Sequence, residues 1–474
     1  MLFNSIEFAI FFPIIFILYF LFFNNNIRYR NLFIICISYF FYAMWDWRFL
    51  SLIIISSIAD YLIGFKIYDS KDEKTRRGFL LLSVIINIGI LGFFKYFNFF
   101  TDSLLSLFEL FGWTYSYRRL NIILPVGISF YTFQTLSYTL DIYRKRLTPT
   151  KDITSFFAFV SFFPQLVAGP IERAKDLLPQ FHKINKVSYN SIRSGLILIT
   201  IGLFKKIVIA DRLAIYVDSC YANIDQANGI PMLIAIIFFA FQLYLDFSAY
   251  SDIAIGIART LGFNLSTNFK RPYLSISFSD FWKRWHISLS SWFKDYVYIS
   301  LGGNKVNKTK MFRNIFIVFL LSGLWHGASW NFVIWGALNG LFLILFDTHI
   351  NQRIKSKLLK HMFIFTSWAL SLIFFRAQTF NEAINVFSNI NLSNKSNIYS
   401  MGLNNSEIHF TFWLLISYMA IEYINEKKGN LINIITNQKM LIRFTFYLLL
   451  ILSIIFLGAY GVGFNDTNFI YFQF

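Results

Sequence analysis

The chain has little cysteine and little charge. Two cysteines among 474 residues, Cys36 and Cys220, argue against a disulfide framework and against a thiolate metal site. Charged residues make up 14% of the sequence, whereas soluble domains carry roughly 25%. The sequence contains no Walker A loop, no G-x-S-x-G elbow and no H-E-x-x-H or H-x-x-x-H pattern. Neither a serine nucleophile nor a metal site is therefore predicted.

Apolar residues dominate the chain instead. They account for 56% of the sequence, including 60 phenylalanines, and their runs extend from one end to the other. This distribution predicts one polytopic, all-α membrane domain over residues 1–474. The net charge of +18 comes from basic residues placed between the apolar runs, which is typical of cytoplasmic loops and not of a nucleic-acid-binding protein. We expect a multi-pass protein of the cytoplasmic (inner) membrane.

Apolar segments of nearly spanning length recur along the chain. Several are short enough to be re-entrant or broken, so 11–13 crossings are expected. The first run lacks a basic region before it and a small-residue cleavage site after it, and is expected to remain as a helix. The segments lie near 7–23, 31–47, 50–66, 79–100, 121–140, 153–169, 193–213, 230–250, 311–326, 330–346, 361–377, 408–424 and 441–462.

The stretch 263–313 is polar, basic and aromatic, and too mixed to span a membrane. Residues 277–280 have the form of a capping box, which predicts a helix start. Aromatic and leucine side chains then recur at helical spacing, indicating one helix at the membrane interface. Its polar side would carry Lys283, Arg284 and Lys294.

His326 is the leading candidate for chemistry. It lies in an apolar stretch, where an ionisable group is costly to desolvate and usually functional. Gly323 and Gly327 would let backbone or substrate approach, and Trp325 and Trp330 would provide pocket walls. A histidine can accept and return a proton near neutral pH. The alternative is a core histidine that bonds to a neighbouring helix.

His286 lies on the predicted aromatic helix, on one face with Trp282 and Leu289. It is either a second polar group at the His326 pocket or an interfacial histidine bonded to a carbonyl or a headgroup.

Further polar groups lie in apolar segments. Asp246 would orient a histidine or line a polar tunnel, or else form an ion pair with Arg259 or Lys206. Gln134 also indicates a hydrated cavity. Donors near Trp325 and Ser329 would stabilise an oxyanion.

Taken together, several sequence blocks resemble the membrane-bound O-acyltransferase family, and most closely its branch for alginate O-acetylation. They follow one another in order over nearly the whole chain. The blocks are residues 1–5, 124–134, 163–171, 246–252, 281–290, 324–328, 374–377 and 469–474.

The resemblance implies specific roles. His326 would be the catalytic histidine of the family, and His286 the second motif residue, which is often asparagine in other branches. Helices would enclose a central funnel that admits acetyl-CoA from the cytosol as co-substrate, with no tightly bound cofactor. Lys283, Arg284 and Lys294 would hold its phosphates.

The resemblance also bears on acceptor and partners. The acceptor would be an extracellular polysaccharide such as alginate, reached directly or through an extracytoplasmic acetyltransferase partner. Peptidoglycan, cellulose, or D-alanylation of teichoic acid are alternative targets. A transporter or flippase of lipid-linked sugars is the non-enzyme alternative.

Overall fold

A computed structural model describes residues 1–113, 117–390, 397–429, 431–460 and 469–470. Helices dominate the described residues, and no β-strand is found among them. The predicted all-α membrane class is therefore confirmed. Contacts within the chain divide it into two compact units, namely Met1–Ser191 with Ala258–Ser266, and Ile192–Ile257 with Thr267–Phe474.

The first unit is built from helices α1 to α9. Short π-helical turns extend α1 at Tyr19–Phe23 and α4 at Gly92–Tyr96, and a 3-10 turn at Trp47–Phe49 separates α2 from α3. The helices are α1 Ile6–Leu18, α2 Ile27–Asp46, α3 Leu50–Asp69, α4 Glu73–Leu91, α5 Phe97–Leu110, α6 Ile128–Tyr143, α7 Ile153–Ser161, α8 Phe163–Leu166 and α9 Ala174–Phe181.

Helices α10 and α12 each cross a boundary between the units, and the remaining helices belong to the second unit. The helices are α10 Tyr189–Leu203, α11 Asp211–Ala222, α12 Ile230–Thr260, α13 Phe278–Trp282, α14 Ile287–Phe293, α15 Lys308–His326, α16 Trp330–Leu345, α17 Lys357–Arg376, α18 Phe380–Ser388, α19 Asn405–Lys428, α20 Leu431–Thr436 and α21 Met440–Leu457. Further π-helical turns lie at Phe204–Ala210, Lys294–Tyr298 and Phe346–Ile350, and 3-10 turns at Pro272–Leu274 and Ile398–Ser400.

Within the described residues, seven helical stretches are long and apolar enough to cross a membrane. One of them, Ile27–Asp69, has 43 residues and contains both α2 and α3. At 1.5 Å per residue its length is about twice the hydrocarbon thickness, which is enough for two crossings. The protein is thus a multi-pass membrane protein. The figure of 11–13 crossings and the central funnel stay predictions.

Two buried polar side chains of the first unit, Arg30 and Gln134, are bonded within that unit. The guanidinium of Arg30, which is fully buried, donates to the carbonyls of Lys183 and Phe181 at 2.6 and 2.8 Å. Gln134 donates from Nε2 to the carbonyl of Phe159 at 2.7 Å. Since a buried donor without an acceptor is costly, these bonds satisfy the groups that the sequence places at depth.

Glycines allow α15 and α16 of the second unit to pack backbone against backbone. A Cβ on Gly323 would lie 2.2 Å from the carbonyl oxygen of Phe332, and one on Gly336 would lie 2.3 Å from that of Phe319. At Gly327 a Cβ would meet the Phe332 ring at 2.0 Å. The glycines beside His326 therefore serve close packing within the protein.

Candidate active site

His326 is the last residue of α15 and is 5% exposed. Its imidazole lies among aromatic rings, with centroid distances of 5.0 Å to Trp325, 5.0 Å to Trp335 and 5.5 Å to Phe375. The rings meet edge to face, an arrangement that aromatic quadrupoles favour. Helices α15, α16 and α17 each supply one of these rings, so the packing of three helices fixes the position of the imidazole.

Of the two tryptophans predicted to line the site, Trp325 contacts the histidines and Trp330 is largely exposed. Trp325 contacts both candidate histidines, with centroid distances of 5.0 Å to His326 and 5.9 Å to His286. Trp330 is 59% exposed, so its predicted role as a wall is wrong. Trp335, five residues further along α16, faces His326 instead. This ring was missed because it lies in another helix, and nothing in the local spacing connects it with His326.

His286 lies at a break between two short helices. Helix α13 ends at Trp282 and α14 begins at Ile287, and His286 has the left-handed backbone angles φ 42° and ψ 54°. The predicted continuous aromatic helix is therefore wrong. The helix start itself was correct, because the Ser277 side chain accepts from the backbone N–H of Asp280 at 3.0 Å.

The break brings His286 to His326. The two ring centroids are 6.3 Å apart, and His286 is 1% exposed. Phe247 of α12 packs edge to face against His286, with the ring centroids 4.7 Å apart. Burial lowers the pKa of His286 to about 3, which keeps its imidazole neutral at physiological pH. Two imidazoles that are far apart in the sequence thus lie in one cluster of aromatic side chains.

Asn268 lies within hydrogen-bond distance of His286 and was not identified from the sequence. Its Oδ1 is 3.2 Å from Nδ1 of His286 and also accepts from the Ser288 hydroxyl at 2.9 Å. Its Nδ2 donates to the Ser251 hydroxyl at 3.2 Å. No local motif singles out Asn268, because its contacts arise only from folding.

The basic residues predicted to hold phosphates differ in their surroundings. Lys283 and Lys294 are exposed. Arg284 is engaged by two carboxylates, with Nε 2.9 Å from Asp280 and Nη1 2.9 Å from Glu426. A phosphate would have to compete with both carboxylates for the arginine, so the two lysines are the better candidates.

Asp246 is in an ion pair, as the structural alternative predicted. Nζ of Lys206 lies 2.7 Å from Asp246 and 2.8 Å from Asp211. The other carboxylate oxygen of Asp246 accepts from the backbone N–H of Ile470 at 2.7 Å. Phe469 packs above Lys206, its ring centroid 4.6 Å from Nζ. The final motif is therefore anchored at 469–470, while residues 471–474 lie outside the described part of the chain.

Two of the other polar candidates have distinct placements. Ser329 is half-buried and is the N-cap residue of α16, three positions after His326. Gln134 belongs to the first unit, where Gln165 shares its acceptor carbonyl at 3.0 Å. The oxyanion role of Trp325 and Ser329 stays a prediction.

Comparisons with known proteins identify the family of this chain. The family model described as MBOAT, membrane-bound O-acyltransferase family, matches residues 145–379, which include both histidines. A Pseudomonas putida protein named "Probable alginate O-acetylase AlgI" is 41% identical over 398 residues, covering 82% of this chain and 79% of that protein. The chain belongs to the membrane-bound O-acyltransferase family. It is therefore an acyltransferase and not a transporter.

Two further relatives carry other names. The "Peptidoglycan O-acetyltransferase" of Helicobacter pylori is 36% identical over 466 residues, covering 91% of this chain and 85% of that protein. The "Teichoic acid D-alanyltransferase" of Streptococcus thermophilus is 28% identical over 241 residues, covering 48% and 58%. Similar chains thus bear names that refer to different polymers.

Proposed function

We propose that this protein transfers acetyl groups from cytosolic acetyl-CoA, across the cytoplasmic membrane, for the O-acetylation of alginate. The observation that carries the proposal is the 41% identity, over about four-fifths of each chain, with the Pseudomonas putida protein. The paired histidines support it, because acyl transfer to a hydroxyl needs a positioned base. An extracytoplasmic partner would complete transfer to the polymer.

In the proposed mechanism, His326 acts as general base. It takes the proton of the acceptor hydroxyl while the hydroxyl oxygen attacks the thioester carbon of acetyl-CoA. The carbon–sulfur bond then breaks, and His326 returns the proton to the leaving thiolate. His286, whose ring centroid lies 6.3 Å from that of His326, would orient or assist that base. Lys283 and Lys294 would contact the phosphates of the donor.

Peptidoglycan is the second candidate acceptor. The specific support is the Helicobacter pylori relative, whose similarity extends over 91% of this chain. D-alanylation of teichoic acid has less support, because the relative with that name matches 48% of the chain.

The role of His326 is tested by the release of free CoA from acetyl-CoA with purified protein in lipid nanodiscs. Since a positioned base contributes about 10²–10⁴-fold, His326→Ala should lower the rate at least about a hundredfold. The exposed His349 offers a matched control, and His349→Ala should keep the native rate. A normal rate for His326→Ala would refute the assignment.

The acceptor is tested separately, in membranes of a bacterium that expresses this chain and its neighbouring genes. Radiolabelled acetyl groups are traced into extracted alginate and peptidoglycan. Label in alginate, lost with His326→Ala, is the expected result. Label only in peptidoglycan would contradict the choice of alginate and favour the second candidate.

A further inference from the structure

The segment that carries Asn268 is fastened to the segment that carries His286. The backbone N–H of Ile287 donates to the carbonyl of Asn268 at 2.9 Å, and that of Lys270 donates to the carbonyl of Arg284 at 2.8 Å. These two bonds lie on either side of His286 and keep the side chain of Asn268, which is fully buried, beside the imidazole. The position of Asn268 relative to the ring is thus set by backbone bonds.

The amide of Asn268 has a defined orientation. The backbone N–H of Ser288 points to its Oδ1 at 3.3 Å, and a backbone N–H can only donate. The atom facing Ser288 and His286 is therefore the amide oxygen, while Nδ2 faces the Ser251 hydroxyl at 3.2 Å. The side-chain amides of asparagine and glutamine are otherwise ambiguous between oxygen and nitrogen, and this bond removes the ambiguity for Asn268.

An oxygen that only accepts requires a proton on the nitrogen it faces. Nδ1 of His286 lies 3.2 Å from that oxygen, so it must be the protonated nitrogen of the ring. In a neutral imidazole the other nitrogen, Nε2, then carries the lone pair. A ring with the opposite tautomer would place two lone pairs against each other in a buried site.

We propose that Asn268 is a positioning residue for acyl transfer: it fixes His286 as the Nδ1–H tautomer, so that Nε2 accepts a hydrogen bond in the pocket shared with His326. The inference rests on the proposed role of His286 in the reaction. An acceptor at Nε2 would bind the N–H of the His326 imidazole and orient that ring, whose other nitrogen then takes the proton of the attacking hydroxyl. Asn268 itself touches neither donor nor acceptor.

The tautomer is measured directly by nitrogen NMR on the full chain in nanodiscs, labelled with ¹⁵N-histidine. The His286 signals are assigned by their loss in His286→Gln. The native chain should show His286 neutral with the proton on Nδ1. Asn268→Leu removes the acceptor at similar volume and should let the Nε2–H tautomer appear. Asn268→Asp keeps an acceptor oxygen and should keep the proton on Nδ1.

Activity is read in the same preparations as CoA release. At metal-binding histidines, loss of the partner that orients the ring typically costs about 10–100-fold. We expect Asn268→Leu to lower kcat by about the same factor. KM for acetyl-CoA should be unchanged, and Asn268→Asp should restore most of kcat. The control is Asn314→Leu, because Asn314 is also fully buried but bonds to Leu301. It should leave the His286 tautomer unaltered.

Two results would overturn the inference. One is a native spectrum with the proton on Nε2, which needs no variant to fold. The other is a shifted tautomer in Asn268→Leu with normal kcat, since Asn268 would then have no role in transfer. Neither result touches the assignment of His326, which fails only if His326→Ala is active.

Discussion

Replacing Lys206 with methionine should destabilise the second unit more than any single change to its partners. The ammonium of Lys206 is 1% exposed and neutralises both Asp246 and Asp211. Methionine has a similar length but no charge, so two buried carboxylates would be left without their cation. Removing one partner of a buried ion pair costs about 3–5 kcal/mol. Because Lys206 is shared by two carboxylates, we expect Lys206→Met to destabilise the protein by an amount at the upper end of that range.

Replacing one of the two carboxylates with a neutral amide should reduce the stability less than replacing Lys206. Asp246→Asn keeps an oxygen for the backbone N–H of Ile470, and Lys206 keeps Asp211. What is lost is one charge-assisted bond, worth about 1.5–3 kcal/mol. The structure therefore predicts an order: Lys206→Met is more destabilising than Asp246→Asn.

The assay is thermal unfolding in one detergent, followed by intrinsic tryptophan fluorescence. Lys310→Met is the control, because Lys310 is exposed on α15, and it should leave Tm unchanged. The double variant Lys206→Met/Asp246→Asn should be less destabilised than the sum of the single variants, since one unpaired charge is removed. Equal loss of Tm in both single variants, or a larger loss in Asp246→Asn, would refute the shared-cation reasoning.

Two other predictions concern packing and pH. Gly323→Ala should destabilise by about 1–3 kcal/mol, because its Cβ meets the Phe332 carbonyl, whereas Gly89→Ala, with nothing within 4 Å, should be neutral or slightly stabilising in the same unfolding assay. Burial raises the pKa of Glu172 to about 7 despite two bonds from Ser266. The folded chain then binds more protons than the unfolded chain between about pH 4.5 and 7, so stability falls as pH rises through that window. Glu172→Gln should flatten this dependence when Tm is measured against pH, and an unchanged slope would contradict the explanation.

The class of fold and the burial of His326 followed from the sequence because both depend on local properties. A long apolar run indicates a membrane span independently of the tertiary contacts of its helix. A histidine inside such a run is costly to desolvate for the same local reason. The ion pair of Asp246 was anticipated for the same reason, since a buried carboxylate needs a cation.

The other contacts of the site join residues that are distant in the sequence, so no local sequence pattern predicted them. Aromatic spacing through 282–296 predicted an unbroken helix, yet backbone bonds to the Asn268 segment stop it at His286. Trp335 and Phe375 reach His326 from separate helices. Glu426 binds Arg284 although the two residues are 142 positions apart, and no sequence periodicity predicts such a pair.

The left-handed conformation at position 286 restricts which side chains evolution can place there. Outside glycine, that region of backbone space is entered most readily by asparagine, aspartate and histidine. Asparagine, which the family resemblance implies for this position in other branches, belongs to the same small group of side chains. The choice between those two side chains thus reflects a bend that tolerates few alternatives, and exchanging one for the other would alter the chemistry of the pocket without disturbing the turn that supports it.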